Sequence, residues 1–307
     1  MNRAQSAVEP RRVSVHPATK IGAVSLTVSS LQRQIPFYEK VLGFTVAWRE
    51  DRKAGLGTGG KDLLRLVEVP GARRVPRTTG LYHFAVLLPD RRELARAVAR
   101  LFDVGYPNHP TDHIMTKTTY LTDPEGQEIE LYTESPEDGT WEMNANGYFA
   151  RRADGSLSDG REPLDVDALF SSLHPGDPLD RPLPPQARIG HVHLYVRDVP
   201  EALEFYTDVI GFDNMGYTTA FMMGMVSAGG YHHHIGLNSW MGKGAPPAPP
   251  GSLGMRHFEV VLPSGQELDR VVQRVKDAGV AMEQTEAGPL IRDPSQNTFI
   301  LTTGRSA

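Results

Sequence analysis

Apolar and other residues alternate along Ile21-Gly22-x-Val24-x-Leu26-x-Val28. A period of two is the mark of a half-buried β-strand. From Ser29 to Leu42 the spacing changes and places Phe37, Val41 and Leu42 on one face, which predicts a short amphipathic helix ended by Gly43. A further strand is expected over Asp62 to Val69. The pattern then restarts. Tyr82 to Pro89 reads as a strand, Arg91 to Phe102 as a helix, and Tyr120 to Tyr132 as two strands around the turn Asp123-Pro124-Glu125-Gly126.

The chain repeats itself on a larger scale. Ile189-Gly190-x-Val192-x-Leu194-x-Val196 and Phe205-Tyr206-x-x-Val209-x-Gly211-Phe212 echo the first strand and Phe37-Tyr38-x-x-Val41-x-Gly43-Phe44, each 168 residues on. Tyr82-His83-Phe84 returns as Arg256-His257-Phe258, and Asp123-Pro124 as Asp293-Pro294. Three matched blocks in one order indicate a duplication. Each half is itself double, so four βαβββ-like modules are expected: A (about 19–72), B (79–135), C (187–242) and D (252–304). The expected domains are a first repeat over 1–135, a connector over 136–186 and a second repeat over 187–307. The connector is rich in Pro, Gly and Asp, with one helix expected at Leu164–Leu173. Gly244 to Gly251 is a semi-rigid proline-rich link.

Composition narrows the chemistry. With 307 residues there is room for two cores, and a net charge of -5 without a large basic block argues against nucleic acid as a partner. The basic pair Arg11-Arg12 is too short to change this. No cysteine is present, so disulfides, zinc-thiolate sites and thiol catalysis are excluded, and a metal site must use imidazole and carboxylate. No stretch approaches the roughly 18 apolar residues of a membrane span. The polar start, MNRAQSAVEPRR, has no apolar signal core, so a cytoplasmic location without membrane contact is the default expectation.

The modules resemble those of the vicinal oxygen chelate superfamily, which includes glyoxalase I, bleomycin-resistance proteins and extradiol ring-cleavage dioxygenases. Tyr231-His-His-His-Ile-Gly-Leu-Asn-Ser-Trp240 and Tyr82-His-Phe-Ala-Val-Leu-Leu-Pro-Asp90 are similar to the bacterial catechol 2,3-dioxygenase group. The resemblance implies an α+β fold in which modules pair into two curved-sheet bowls. It places metal ligands on the first and last strand of each module. First strands carry Ala23, His83, His191 and His257 in modules A to D. Last strands carry apolar residues near Leu64–Leu66 in A, Glu130 in B, the triple histidine 232–234 in C and Ile300 in D. Neither half holds a complete set. Modules B and C together do, which implies one site built by B pairing with C, while A pairs with D as an inactive support.

The implied metal ligands are His83, Glu130 and His191. Two imidazoles and one carboxylate are the facial triad of non-haem Fe(II) oxygenases, and Mn(II) is hardly separated from Fe(II) by such donors. The resemblance further implies His113 as an acid/base group, Tyr120 on the strand ten residues before Glu130, and a histidine of the triple run, His234, with His232 on the same face. His193, Asn238 and Tyr132 join His232 as expected substrate contacts. The implied reaction opens a catechol-like ring with O2 next to, not between, its hydroxyls. A neutral imidazole suits the removal of a phenolic proton, and a histidine and tyrosine near bound oxygen suit the stabilisation of developing charge.

Two other readings fit the same scaffold. One is a glyoxalase-like isomerase or hydrolase with Ni, Co, Zn or Mn and a fourth ligand from His234. The other is a binding or resistance protein that sequesters a flat aromatic ligand. His257 reads as structural, because Ala23 and Ile300 deprive it of partners, and Met222–Met225 as core packing. The substrate's ring substituents are not legible. Oligomeric state is open, a homo-oligomer included.

Overall fold

A computed structural model of the chain describes residues 14–304; Arg11-Arg12 and the chain's start lie outside the described residues. Two curved sheets dominate. The nine-stranded sheet joins modules B and C. Its order is Glu162–Pro163, His109–Asp112, Thr116–Thr122, Glu128–Glu134, Gly80–Leu87, Arg188–Tyr195, Ile235–Asn238, Met223–Ser227 and Asp213–Thr218. The eight-stranded sheet joins D and A, where Lys20–Val28 runs antiparallel to Gly254–Val261. The pairing implied by the ligand distribution is therefore the one formed.

The duplication is visible in small devices. In module A, helix Leu31–Pro36 widens into a π-helical turn over Phe37–Leu42; in C, Val199–Glu204 does the same over Phe205–Ile210. Glu204 stands where module A has Pro36, so proline does not cause the widening. Both turns end on a left-handed glycine, Gly43 (φ 82°) and Gly211 (φ 99°), where a side chain would be strained and would also strike the guanidinium of Arg100 or Arg274. Each half is then tied across the two sheets. Tyr38 donates to Asp123 at 3.1 Å, and Tyr206 donates to Asp293 at 3.2 Å. Those aspartates open the Asp-Pro turns, where their other oxygens each accept two backbone N–H groups at 2.8 Å.

The longer helices, Arg91–Asp103 and Gly265–Asp277, are capped by Asp90 and Ser264. Leu94, Val98 and Leu101 recur at helical spacing and are fully buried, which docks the first helix on its sheet. The connector departs from expectation. Its helix is shorter, Val166–Phe170, and it also folds into a three-stranded sheet of Gly139–Asn144, Gly147–Arg152 and Leu157–Ser158. Asn144-Ala-Asn-Gly147, flanked by aromatic residues, is a hairpin signal that the high polarity of the segment obscures.

Candidate metal centre and its cavity

The sheet register explains why the donors converge. Tyr120, Glu130, Ala85 and His191 are successive neighbours across four strands, and Glu128, His83 and His193 form the next row on the same face. Ala85 is the small, fully buried residue between Glu130 and His191. His83 Nε2 and His191 Nε2 lie 3.3 Å apart, and 3.2 and 3.0 Å from one Glu130 oxygen. All three side chains are buried. Cis donors about 2.1 Å from an octahedral ion stand about 3.0 Å apart, so these spacings suit one metal ion. Electrostatics agree. Burial pushes the His191 pKa down to about 4, leaving it neutral. Burial opposes ionisation of Glu130 as well, but His191 and His83 hold it well below the usual carboxylate range. A buried carboxylate beside two imidazoles is a negative charge that a cation would balance.

Above the donors lies a cavity of about 750 Å³. His83, Glu130, His191, His193, His232 and His233 line its floor, and Tyr82, His113, Tyr120, Trp240, Met223 and Met225 its sides. Two of the methionines expected to be core packing thus face the cavity. The connector supplies the roof: Trp141 stacks on Tyr148 with centroids 5.6 Å apart, and Gly160 to Pro163 closes one side. Gly236 is required on the floor. A Cβ there would come within 2.8 Å of the His193 ring.

His113 and Tyr120 are brought together. His113 Nδ1 lies 2.5 Å from the Gly160 carbonyl, which can only accept, so this nitrogen carries the proton. Nε2 is then the acceptor for the Tyr120 hydroxyl at 2.9 Å. Burial lowers the His113 pKa and raises that of Tyr120 well above the ordinary phenol, so both are neutral near pH 7.

Three expected contacts are not met. The triple histidine precedes its strand, Ile235–Asn238, instead of lying in it, so alternation does not apply and His234 does not share a face with His232. His234 turns away from the cavity, with Nδ1 accepting from the Ala228 N–H at 3.2 Å and 3.0 Å from Ser227 Oγ. The histidine packed on His191 is His233, with ring centroids 4.1 Å apart. Asn238 is fully buried at the sheet and receives the Trp240 N–H, outside the cavity lining. Tyr132 backs the His191 ring and bonds the Tyr231 hydroxyl; it too lies behind the lining. His193 and His232 do reach the cavity.

The A–D bowl has a different content. Arg65, between the leucines of its strand, pairs with Glu259 at 2.5 Å and Asp62 at 3.0 Å. His257 is held down to about pH 4 by burial and then by the Arg65 charge. A resident guanidinium beside the lone histidine, with Ala23 and Ile300 at the other ligand positions, removes any metal site there.

A family model of the Glyoxalase/Bleomycin resistance protein/Dioxygenase superfamily matches residues 20–131 and 188–301. The chain belongs to this superfamily. It is 42% identical over 290 residues to the catechol-2,3-dioxygenase of Bacillus subtilis (strain 168), covering 94% of this chain and 98% of that protein. It is 30% identical over 131 residues to biphenyl-2,3-diol 1,2-dioxygenase 3 of Rhodococcus globerulus, covering 40% of this chain and 69% of that one. Among solved structures, glyoxalase I from Zea mays superposes with a TM-score of 0.55 at 14% identity, covering 92% of each chain, a likeness of fold.

Proposed function

We propose that the protein is a non-haem Fe(II)-dependent extradiol dioxygenase that opens a catechol-like ring with O2. The observation that carries this is the convergence of His83, His191 and Glu130 beneath an aromatic cavity. The 42% identity to a catechol-2,3-dioxygenase over nearly the full length of both chains supports it. His83, His191 and Glu130 would hold the metal through one nitrogen each and a carboxylate oxygen. When bound there, Fe(II) supplies the Lewis-acid and redox chemistry that joins a catechol to O2.

The chain's own residues supply the rest. His113 Nε2 is an unprotonated nitrogen already coupled to the Tyr120 hydroxyl, so the pair can take a proton from the cavity and return it. Its tautomer is set by the Gly160 carbonyl, which keeps Nε2 free to accept. We assign the histidine beside the reacting oxygens to His233 in place of His234. Burial holds the His233 pKa well below the ordinary imidazole range and keeps the ring neutral. Tyr82 and Trp240, with centroids 5.3 Å apart, form an aromatic wall that orients a flat ring. The Trp141–Tyr148 roof limits water.

Anaerobic loading with Fe(II), then catechol and O2, tests the reading. Stoichiometric O2 uptake with a yellow ring-opened product is expected, and Mn(II) is the alternative metal to load. Absence of O2 uptake with every catechol tried, together with no bound metal by elemental analysis, overturns it.

A further inference from the structure

The cavity holds a charge that the ring-opening chemistry does not use. Arg161 is the one arginine or lysine among the described lining residues. The nearby Arg152 guanidinium is spoken for by its pair with Glu162. The Arg161 guanidinium has no ion pair or hydrogen bond among the described residues. The acidic residues that share the lining are engaged elsewhere. Glu130 faces the two imidazoles, Glu162 meets Arg152 and Ser158, the Glu128 charge lies close enough to Tyr82 to raise its pKa, and an Asp159 oxygen accepts the backbone N–H of Arg161 at 2.9 Å.

The backbone around Arg161 is held on both sides. Gly160 is tied through its carbonyl to His113, and Glu162 pairs with Asp112 at the edge of the nine-stranded sheet. Arg161 is therefore an exposed residue on an anchored segment, standing where the cavity lining meets solvent. Beneath the larger effect of burial, its charge lowers the pKa of Tyr120, Tyr82, Tyr148, His113 and His193, which stand on different walls of the same space. The cavity's 750 Å³ falls within the range of roughly 300–1,000 Å³ that encloses drug-sized ligands, far beyond a single unsubstituted ring.

We propose that Arg161 is the counter-ion for an anionic substituent of the substrate, so that the preferred substrate class is a catechol carrying a carboxylate on a short side chain. This rests on the ring-cleavage reading of the same cavity. Guanidinium and carboxylate match as a planar two-point pair. A neutral substituent of the same length would leave the arginine without a partner, and an ammonium group would be repelled.

The test compares carboxyethyl, propyl and aminopropyl catechol, three probes of similar size and different charge. Dissociation constants are measured on Fe(II)-loaded protein without O2, by quenching of tryptophan fluorescence. Specificity constants are measured with O2. The wild type is expected to bind the carboxyethyl probe roughly tenfold more tightly than the propyl probe. Arg161→Met brings that ratio close to one, Arg161→Lys keeps part of it, and Arg161→Glu shifts preference to the aminopropyl probe. Equal binding of the three probes by the wild type overturns the proposal. So does an Arg161→Met variant that keeps the wild-type ratio. Arg161-dependent anion preference in binding, without turnover of any probe, supports the anion site while contradicting the dioxygenase reading.

Discussion

At the scale of single residues, the candidate metal donors were legible because the family resemblance marks their strand positions and few residue types can do the work. With no cysteine in the chain, only histidine and carboxylate remained, and His83, Glu130 and His191 stood at matching strand positions. His233 was not legible. Choosing among three adjacent histidines needs the backbone direction, and strand alternation failed because the run lies before its strand. The structure separates two roles that the sequence leaves mixed. His233→Ala is expected to lower kcat by roughly a hundredfold or more while metal content is kept, as for loss of an acid/base group. His234→Ala removes the acceptor of the Ala228 N–H and is expected to lower the melting temperature, with a smaller effect on kcat. Steady-state kinetics and thermal melts on the two variants check this; a reversed pattern would restore His234 to the site.

At the scale of elements, repeated motifs made strands, helices and caps readable, while the connector's hairpin was hidden by its polar composition. The Asp-Pro turns carry a consequence that appears only in three dimensions. Burial raises the pKa of Asp293 to about 6, although its hydrogen bonds with Asn297, Ser295 and Tyr206 resist this; Asp123 is raised in the same direction. An unfolded aspartate titrates near 3.9. Between about pH 4 and pH 6 the folded protein thus binds more protons at Asp293 than the unfolded chain. Stability from this group is full below that window and is lost as pH rises through about 6, by an amount on the order of 2–3 kcal/mol. Asp293→Asn, which keeps an acceptor oxygen, is expected to flatten this segment of the stability profile in urea melts from pH 4 to 7. An unchanged slope contradicts the assignment. Tyr206→Phe removes one of the two donors to Asp293 Oδ2, leaving that of Asn297 Nδ2 at 3.1 Å, and should cost about 1 kcal/mol in the same melts.

At the scale of the whole molecule, unequal duplication sets the architecture of the site. Ala23 and Ile300 already implied that neither repeat could build the set of two histidines and one carboxylate alone, and that B with C could; within the second repeat, His191, His232 and His233 also stand close enough to hold an ion. What the sequence did not convey was the fate of the other bowl, where Arg65 and Glu259 put an ion pair beside His257. Glu130 and His191 come from opposite repeats yet serve one point in space. Glu130→Ala and His191→Ala are each expected to abolish bound metal by elemental analysis, and the double variant to be no worse than either single one. His257→Ala is expected to leave one ion per chain.

The most direct measurement is an anaerobic crystal structure of the Fe(II)-loaded protein with anomalous scattering at the iron edge. One ion per chain, bound by His83 Nε2, His191 Nε2 and a Glu130 oxygen beneath the cavity, is the predicted result. An ion held by the triple histidine without Glu130, an ion in the A–D bowl, or no ordered ion would contradict the account.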